Sequence, residues 1–143
     1  MAAKNYKTLE LDPKYVPKKS EPYMSEQQRA YFYQLLTAQR DEILQDSEDI
    51  LNAVKLAEKN ESEGVGDDSD NSTHEQEMAL NLKMSERQNN HLKKINQALE
   101  NLENGKFGFS VISGDEIGIA RMLARPLATM TIEEQEELEK KGL

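Results

Sequence analysis

Residues 25–62 read SEQQRAYFYQLLTAQRDEILQDSEDILNAVKLAEKNES, and no Gly or Pro occurs from Tyr23 to Ser62. So long a run without a breaker is helical if its apolar residues share one stripe. Phe32, Leu36, Ile43, Ile50, Val54 and Ala57 follow a near-heptad seam, interrupted by polar Gln39 and Asp46. Ser25 followed by Glu26-Gln27-Gln28 has capping-box spacing. The stretch therefore predicts one long amphipathic helix.

After it, Glu61 to Asn71 (ESEGVGDDSDN) lacks hydrophobic periodicity and reads as a turn. Ser72 or Thr73 can cap a second helix, since Glu75 and Gln76 stand three residues on. That helix should end at Asn104-Gly105, a C-terminal stop signal. Leu92, Ile95, Leu99 and Leu102 repeat with 3-4-3 spacing, and Met78, Leu80, Leu82 and Met84 extend the apolar content toward the turn. Two helices of about 30 residues give a hairpin roughly 45 to 50 Å long. A two-helix hairpin buries a single seam, consistent with only 36% hydrophobic residues and a mean hydropathy of −0.83.

Pro13, Pro17 and Pro22 make the first residues an extended arm carrying several lysines. Beyond Gly105, the apolar set Phe107, Phe109, Val111, Ile112, Ile117, Ile119, Met122, Leu123 and Leu127 predicts a small core. Thr131-Ile132-Glu133-Glu134 is a further capping box opening a short terminal helix. The expected architecture is mainly α: an arm over 1–24, a long antiparallel two-helix coiled-coil hairpin over 25–104 with its tip at 61–72, and a small globular region with a C-terminal helix over 105–143.

The 143 residues exclude a second large domain. The net charge of −9 argues against general duplex binding, which needs a clustered cationic surface. From Asp41 to Asp70 there are 11 acids against Lys55 and Lys59, so the whole surplus sits in this one segment. With no cysteine there can be no disulfide framework, thiolate zinc site or thiol nucleophile. No run approaches a membrane span, and the N-terminus lacks the apolar core of a secretory signal, so the expected compartment is the cytoplasm. His74 and His91 lie in no metal-ligand spacing and beside no nucleophile, so no enzyme is expected. An EF-hand counted from Asp68 fails at Thr73, where Gly is needed, and at Ala79, where Glu belongs.

Three stretches resemble the DksA/TraR family of bacterial transcription factors over about residues 21–142. They are EPYMSEQQRAYF (21–32), DDSDNS (67–72) and FGFSVISGDEIGIARMLARP (107–126). In the second, Asp67, Asp70 and Ser72 match the family's D-x-x-D-x-[AS] tip. The third is the most specific. The family there reads like FGYCESCGVEIGIRRLEARP, with a further Cys pair downstream, and its four cysteines hold zinc. The corresponding positions here are Ser110, Ser113, Thr131 and Glu134. The resemblance thus implies a zinc-finger-like region without zinc, and the residues suggest that Val111, Ile112, Met130 and Ile132 pack where the metal would have been.

The resemblance further implies a monomeric protein that binds RNA polymerase directly, without contacting DNA or membrane. Its coiled coil would enter the secondary channel, bring Asp67, Asp70 and Ser72 near the active site, and destabilise promoter complexes such as those of ribosomal RNA genes. Arg87 falls at the family's rim-contact position. Lys94 and Arg125 fall at positions implicated in contacting the effector ppGpp, and Gln135 stands where the family usually has Lys. Two alternatives stay open: a Gre-like transcript-cleavage factor, and a coiled-coil adaptor without polymerase activity.

Overall fold

The structure, a computed structural model, describes residues 6–62 and 68–142, apart from the side chains of 60–62, 68–72 and 74. Among the described residues four helices follow one another: α1 Glu26–Ser62, α2 Asp68–Asn104, α3 Ile119–Ala124 and α4 Ile132–Lys140. A lone antiparallel bridge, Phe109 with Glu116, lies between α2 and α3. The chain divides into two compact units, Met1–Ala38 with Lys94–Leu143, and Gln39–Lys93. Both long helices contribute to each unit.

The start of α1 uses the anticipated residues with one change of partner. Ser25 Oγ accepts the Gln28 N–H at 3.3 Å, but Gln28 Oε1 accepts from Met24 N–H at 2.8 Å, not from Ser25. The Ser25 N–H is already bonded to the Pro22 carbonyl. Met24 adopts a left-handed φ of 51° in this turn. The Gln28 amide also donates to Lys18 O and Glu21 Oε1, so this fully buried residue ties the preceding segment to the helix.

That proline-containing segment packs on α1. Tyr15 donates to both Glu21 carboxylate oxygens at 3.0 Å and meets Tyr31 edge-on. Tyr6 is buried, edge-on to Tyr33, with the Arg29 guanidinium 5.4 Å from its ring centre. Burial raises the Tyr6 pKa. Tyr6 joins Phe32, Leu36, Ile95, Leu102, Phe107, Ile117, Ile119 and Met122 in the core of the first unit, and the half-buried Tyr15, Tyr31 and Tyr33 flank it.

Helix α2 stops as the Asn-Gly signal predicts. Gly105 takes φ +75°, the Lys106 N–H reaches Asn101 O at 2.8 Å, and the Gly105 N–H reaches Leu102 O at 3.4 Å. These are the paired bonds of a Schellman termination. Its start differs from the expectation: α2 begins at Asp68, so Ser72 and Thr73 lie inside the helix and not at its first position. Acids in a first turn are favoured by the positive end of the helix dipole, which lets the helix extend back through Asp68 and Asp70.

In the second unit the seam is thin. Ile43 is its one buried hydrophobic residue among those described. Leu80, Leu82 and Met84, expected to prolong the apolar stripe, are exposed instead. Partly buried Met78, Asn81, Ser85, Gln88 and Leu92 continue the 3-4 spacing back from Ile95, so the heptad runs on in polar residues. Ser47 Oγ donates to Gln88 Oε1 at 3.0 Å, joining the two helices across this seam.

Candidate functional site

The sequence points to two places, the turn between the long helices and the four positions corresponding to zinc ligands. At the turn, Asp67 lies outside the described residues. Asp70 and Ser72 have helical backbone as the third and fifth residues of α2, and their side chains are not described. Arg87 is exposed on α2 in the second unit. Lys94, farther along α2, and Arg125, just after α3, are exposed in the first. Gln135 is engaged along its own helix, its amide donating to Glu139 Oε1 at 3.1 Å. His91 is exposed, and the His74 side chain lies outside the described residues.

The other four positions are brought together. Ser110 is buried, and its Oγ accepts the N–H groups of Ile112 at 3.0 Å and Ser113 at 3.3 Å. Ser113 Oγ in turn accepts from Asp115 N–H at 3.3 Å. The result is a tight knuckle closed by the hydroxyl oxygen. Opposite it, Thr131 and Glu134 complete the predicted capping box of α4: Glu134 N–H donates to Thr131 Oγ1 at 3.2 Å, and Thr131 N–H to Glu134 Oε1 at 2.9 Å. The Ser110 hydroxyl, the Thr131 N–H and the Ser113 hydroxyl all donate to the Glu134 carboxylate. Led by the Ser110 bond, they pull its pKa down to about 2 against the opposing effect of burial.

This set does not suit zinc. Structural zinc is held by thiolates and imidazoles in a closed tetrahedron. Here three of the four donors are neutral hydroxyls, and the single carboxylate is already committed to hydrogen bonds. What joins the knuckle to α4 is a hydrogen-bonded carboxylate.

The apolar replacement expected from the sequence is not what forms. Val111, Ile112 and Ile132 are 69%, 60% and 48% exposed, and only Met130 is partly covered. The knuckle geometry explains the difference. Once Ser110 Oγ turns inward to bind two backbone amides and Glu134, the intervening Val111 and Ile112 must project outward.

Around this cluster the fold is held by contacts that no local pattern announces. Tyr23 Oη donates to the Gly108 carbonyl at 2.5 Å and accepts the Gly118 N–H at 3.1 Å, across 85 and 95 residues of chain. Its ring meets Phe109 edge-on. Arg121 Nε donates to Met130 O at 3.2 Å, bracing the loop that carries Arg125.

Comparison with known proteins extends the likeness over most of the chain. Residues 28–102 match the family described as DnaK suppressor protein DksA, N-terminal domain. The chain is 38% identical over 127 residues to the RNA polymerase-binding transcription factor DksA of Caulobacter vibrioides, covering 89% of this chain and 87% of the relative. The chain belongs to the DksA family. The Escherichia coli K12 DksA, also named an RNA polymerase-binding transcription factor, is 33% identical over 83% of this chain and 76% of its own length. Among solved structures, transcription factor DksA2 from Pseudomonas aeruginosa superposes with a TM-score of 0.77 at 33% identity, covering 88% of this chain and 92% of that one. The DksA-family fold is therefore present in a chain with no cysteine at all.

Proposed function

We propose that this chain is a non-enzymatic transcription regulator that binds RNA polymerase through the secondary channel and destabilises promoter complexes, notably those of ribosomal RNA genes. The observation that carries this reading is the 38% identity, across nearly the whole chain, to a relative named an RNA polymerase-binding transcription factor. The charge pattern supports it. Eleven acids lie between Asp41 and Asp70, and the two long helices converge in sequence on that segment. A narrow helical pair can enter a pore closed to a globule, and carboxylates at its bend can face cationic side chains or a catalytic metal.

In this reading Asp67, Asp70 and Ser72 act at the tip and Arg87 contacts the polymerase rim. Exposed Lys94 and Arg125 are the cations available to ppGpp; with Gln135 in place of a lysine, alarmone dependence should be weak. The chain acts as a monomer in the cytoplasm, without contacting DNA itself. The test is transcription in vitro from an unstable ribosomal promoter. The wild-type protein should inhibit, and Asp67→Asn with Asp70→Asn should abolish inhibition while polymerase binding persists. Normal inhibition by the double variant would refute the tip assignment. Stimulated cleavage of backtracked RNA would favour a Gre-like factor.

A further inference from the structure

The knuckle that replaces the zinc site carries an exposed apolar tip. Among the described residues of this unit, Val111 and Ile112 are the most solvent-exposed adjacent aliphatic pair, at 69% and 60%, where the family pattern has Glu-Ser. They are held rigidly. Val111 N–H donates to Thr129 O at 2.9 Å, Ile112 N–H to Ser110 Oγ at 3.0 Å, and Gly114 N–H to Ser110 O at 2.9 Å. Neither side chain is needed for any of these bonds, so the fold does not require aliphatic residues here. Beside the knuckle, Val111 forms one wall of a cleft of about 540 Å³ whose other walls include Asn101, Lys106 and Phe109. An exposed aliphatic pair next to a recess is the form of a protein-docking surface.

Charge and area decide what covers it. Asp115 and Glu116 follow the tip and are exposed, as is Glu133 on α4, three acids against Lys106, the one basic residue among those lining the cleft. A second copy packed about a two-fold axis would set this acidic rim against itself. The tip with Ile132 offers on the order of 300 Å², well below the roughly 800 Å² per partner of a stable complex. It therefore serves as an auxiliary contact to a partner held elsewhere. We propose that Val111 and Ile112 dock into an apolar groove bordered by lysine or arginine on RNA polymerase, a proposal that rests on the polymerase reading above.

The test compares wild-type protein with Val111→Ser/Ile112→Ser for polymerase affinity and thermal stability. The double variant should melt as the wild type does and bind polymerase about tenfold more weakly. A second measurement does not depend on that variant. Because the chain has no cysteine, Ile112→Cys places a unique thiol at the tip. Its alkylation by a maleimide, read as a mass shift on this chain, should slow about tenfold when polymerase is added. If polymerase binds but the double variant binds equally well, or the thiol stays fully reactive in the complex, the docking proposal fails and the polymerase reading stands. If the wild type does not bind polymerase, both fail. Concentration-dependent dimerisation of the wild type that the double variant loses would assign the surface to a second copy and overturn the proposal.

Discussion

Tyr23 and Gly108 show how much of this fold rests on single atoms. A methyl group added at Gly108 would meet Met24 Cε at 2.7 Å and Tyr23 Oη at 2.8 Å, and its φ of +87° disfavours any side chain. Gly105 shares the left-handed backbone, yet nothing lies within 4 Å of its missing Cβ. Gly105→Ala should therefore cost about 1 kcal/mol, the conformational penalty alone. Gly108→Ala should cost about 2–4 kcal/mol, because the Tyr23 hydrogen bond is displaced as well. Chemical denaturation of the two variants measures the difference, and equal losses would rule out the contact with Tyr23. Ser110→Ala belongs at the same scale. It strands the part-buried amides of Ile112 and Ser113 and removes a donor from Glu134, so a loss of about 1–2 kcal/mol is expected.

At the scale of the element, α4 is a nine-residue helix with no buried residue, so its cap matters more than its packing. The carboxylate that caps it is depressed from an ordinary 4.5 to about 2. A depressed carboxylate stabilises the fold only while ionised. The Glu134 contribution is thus full above about pH 4.5 and is lost as pH falls toward 2. The melting-temperature gap between wild type and Glu134→Gln should be widest near neutrality and close across that interval; a gap independent of pH would place the stabilisation elsewhere. The long helices make the complementary point. Their caps and seam residues near Ile95 and Leu102 follow from local pattern. The continuation through Asn81, Ser85 and Gln88 does not follow from local pattern, because the residues on the covered face are polar while Leu80 and Leu82 lie on the exposed one. The partial burial of Asn81 and Ser85 and the pairing of Ser47 with Gln88 identify the covered side.

For the molecule as a whole, the two units differ in what holds them. The first buries most of the core and has 12 bases against 13 acids; the second, Gln39–Lys93, has 6 against 14 and one buried hydrophobic residue among those described. Fewer buried contacts and greater self-repulsion should let the second unit open more readily. Native-state hydrogen exchange is expected to be at least about tenfold faster through 43–58 than at 95–102, and uniform protection would contradict this. The first unit has no thiol, and the four residues at its zinc positions do not suit zinc. Chelator and mild peroxide should therefore leave its melting temperature unchanged, whereas zinc-dependent relatives with cysteine ligands would lose theirs. Stoichiometric zinc in the purified protein would overturn that expectation.

Periodicity, capping residues and breakers are local, so the order of chain alone was enough to establish two long helices, the Asn-Gly stop, the Thr131–Glu134 box and the family likeness carried by 107–126. Three matters needed the chain folded: the burial of Tyr6, the reach of Tyr23 to Gly108 and Gly118, and the choice of Glu134 over aliphatic packing to join the knuckle to α4. Each depends on residues far apart in sequence meeting at hydrogen-bond or van der Waals range. A buried donor takes whichever partner the packed backbone leaves within reach, and no spacing rule records which one that is.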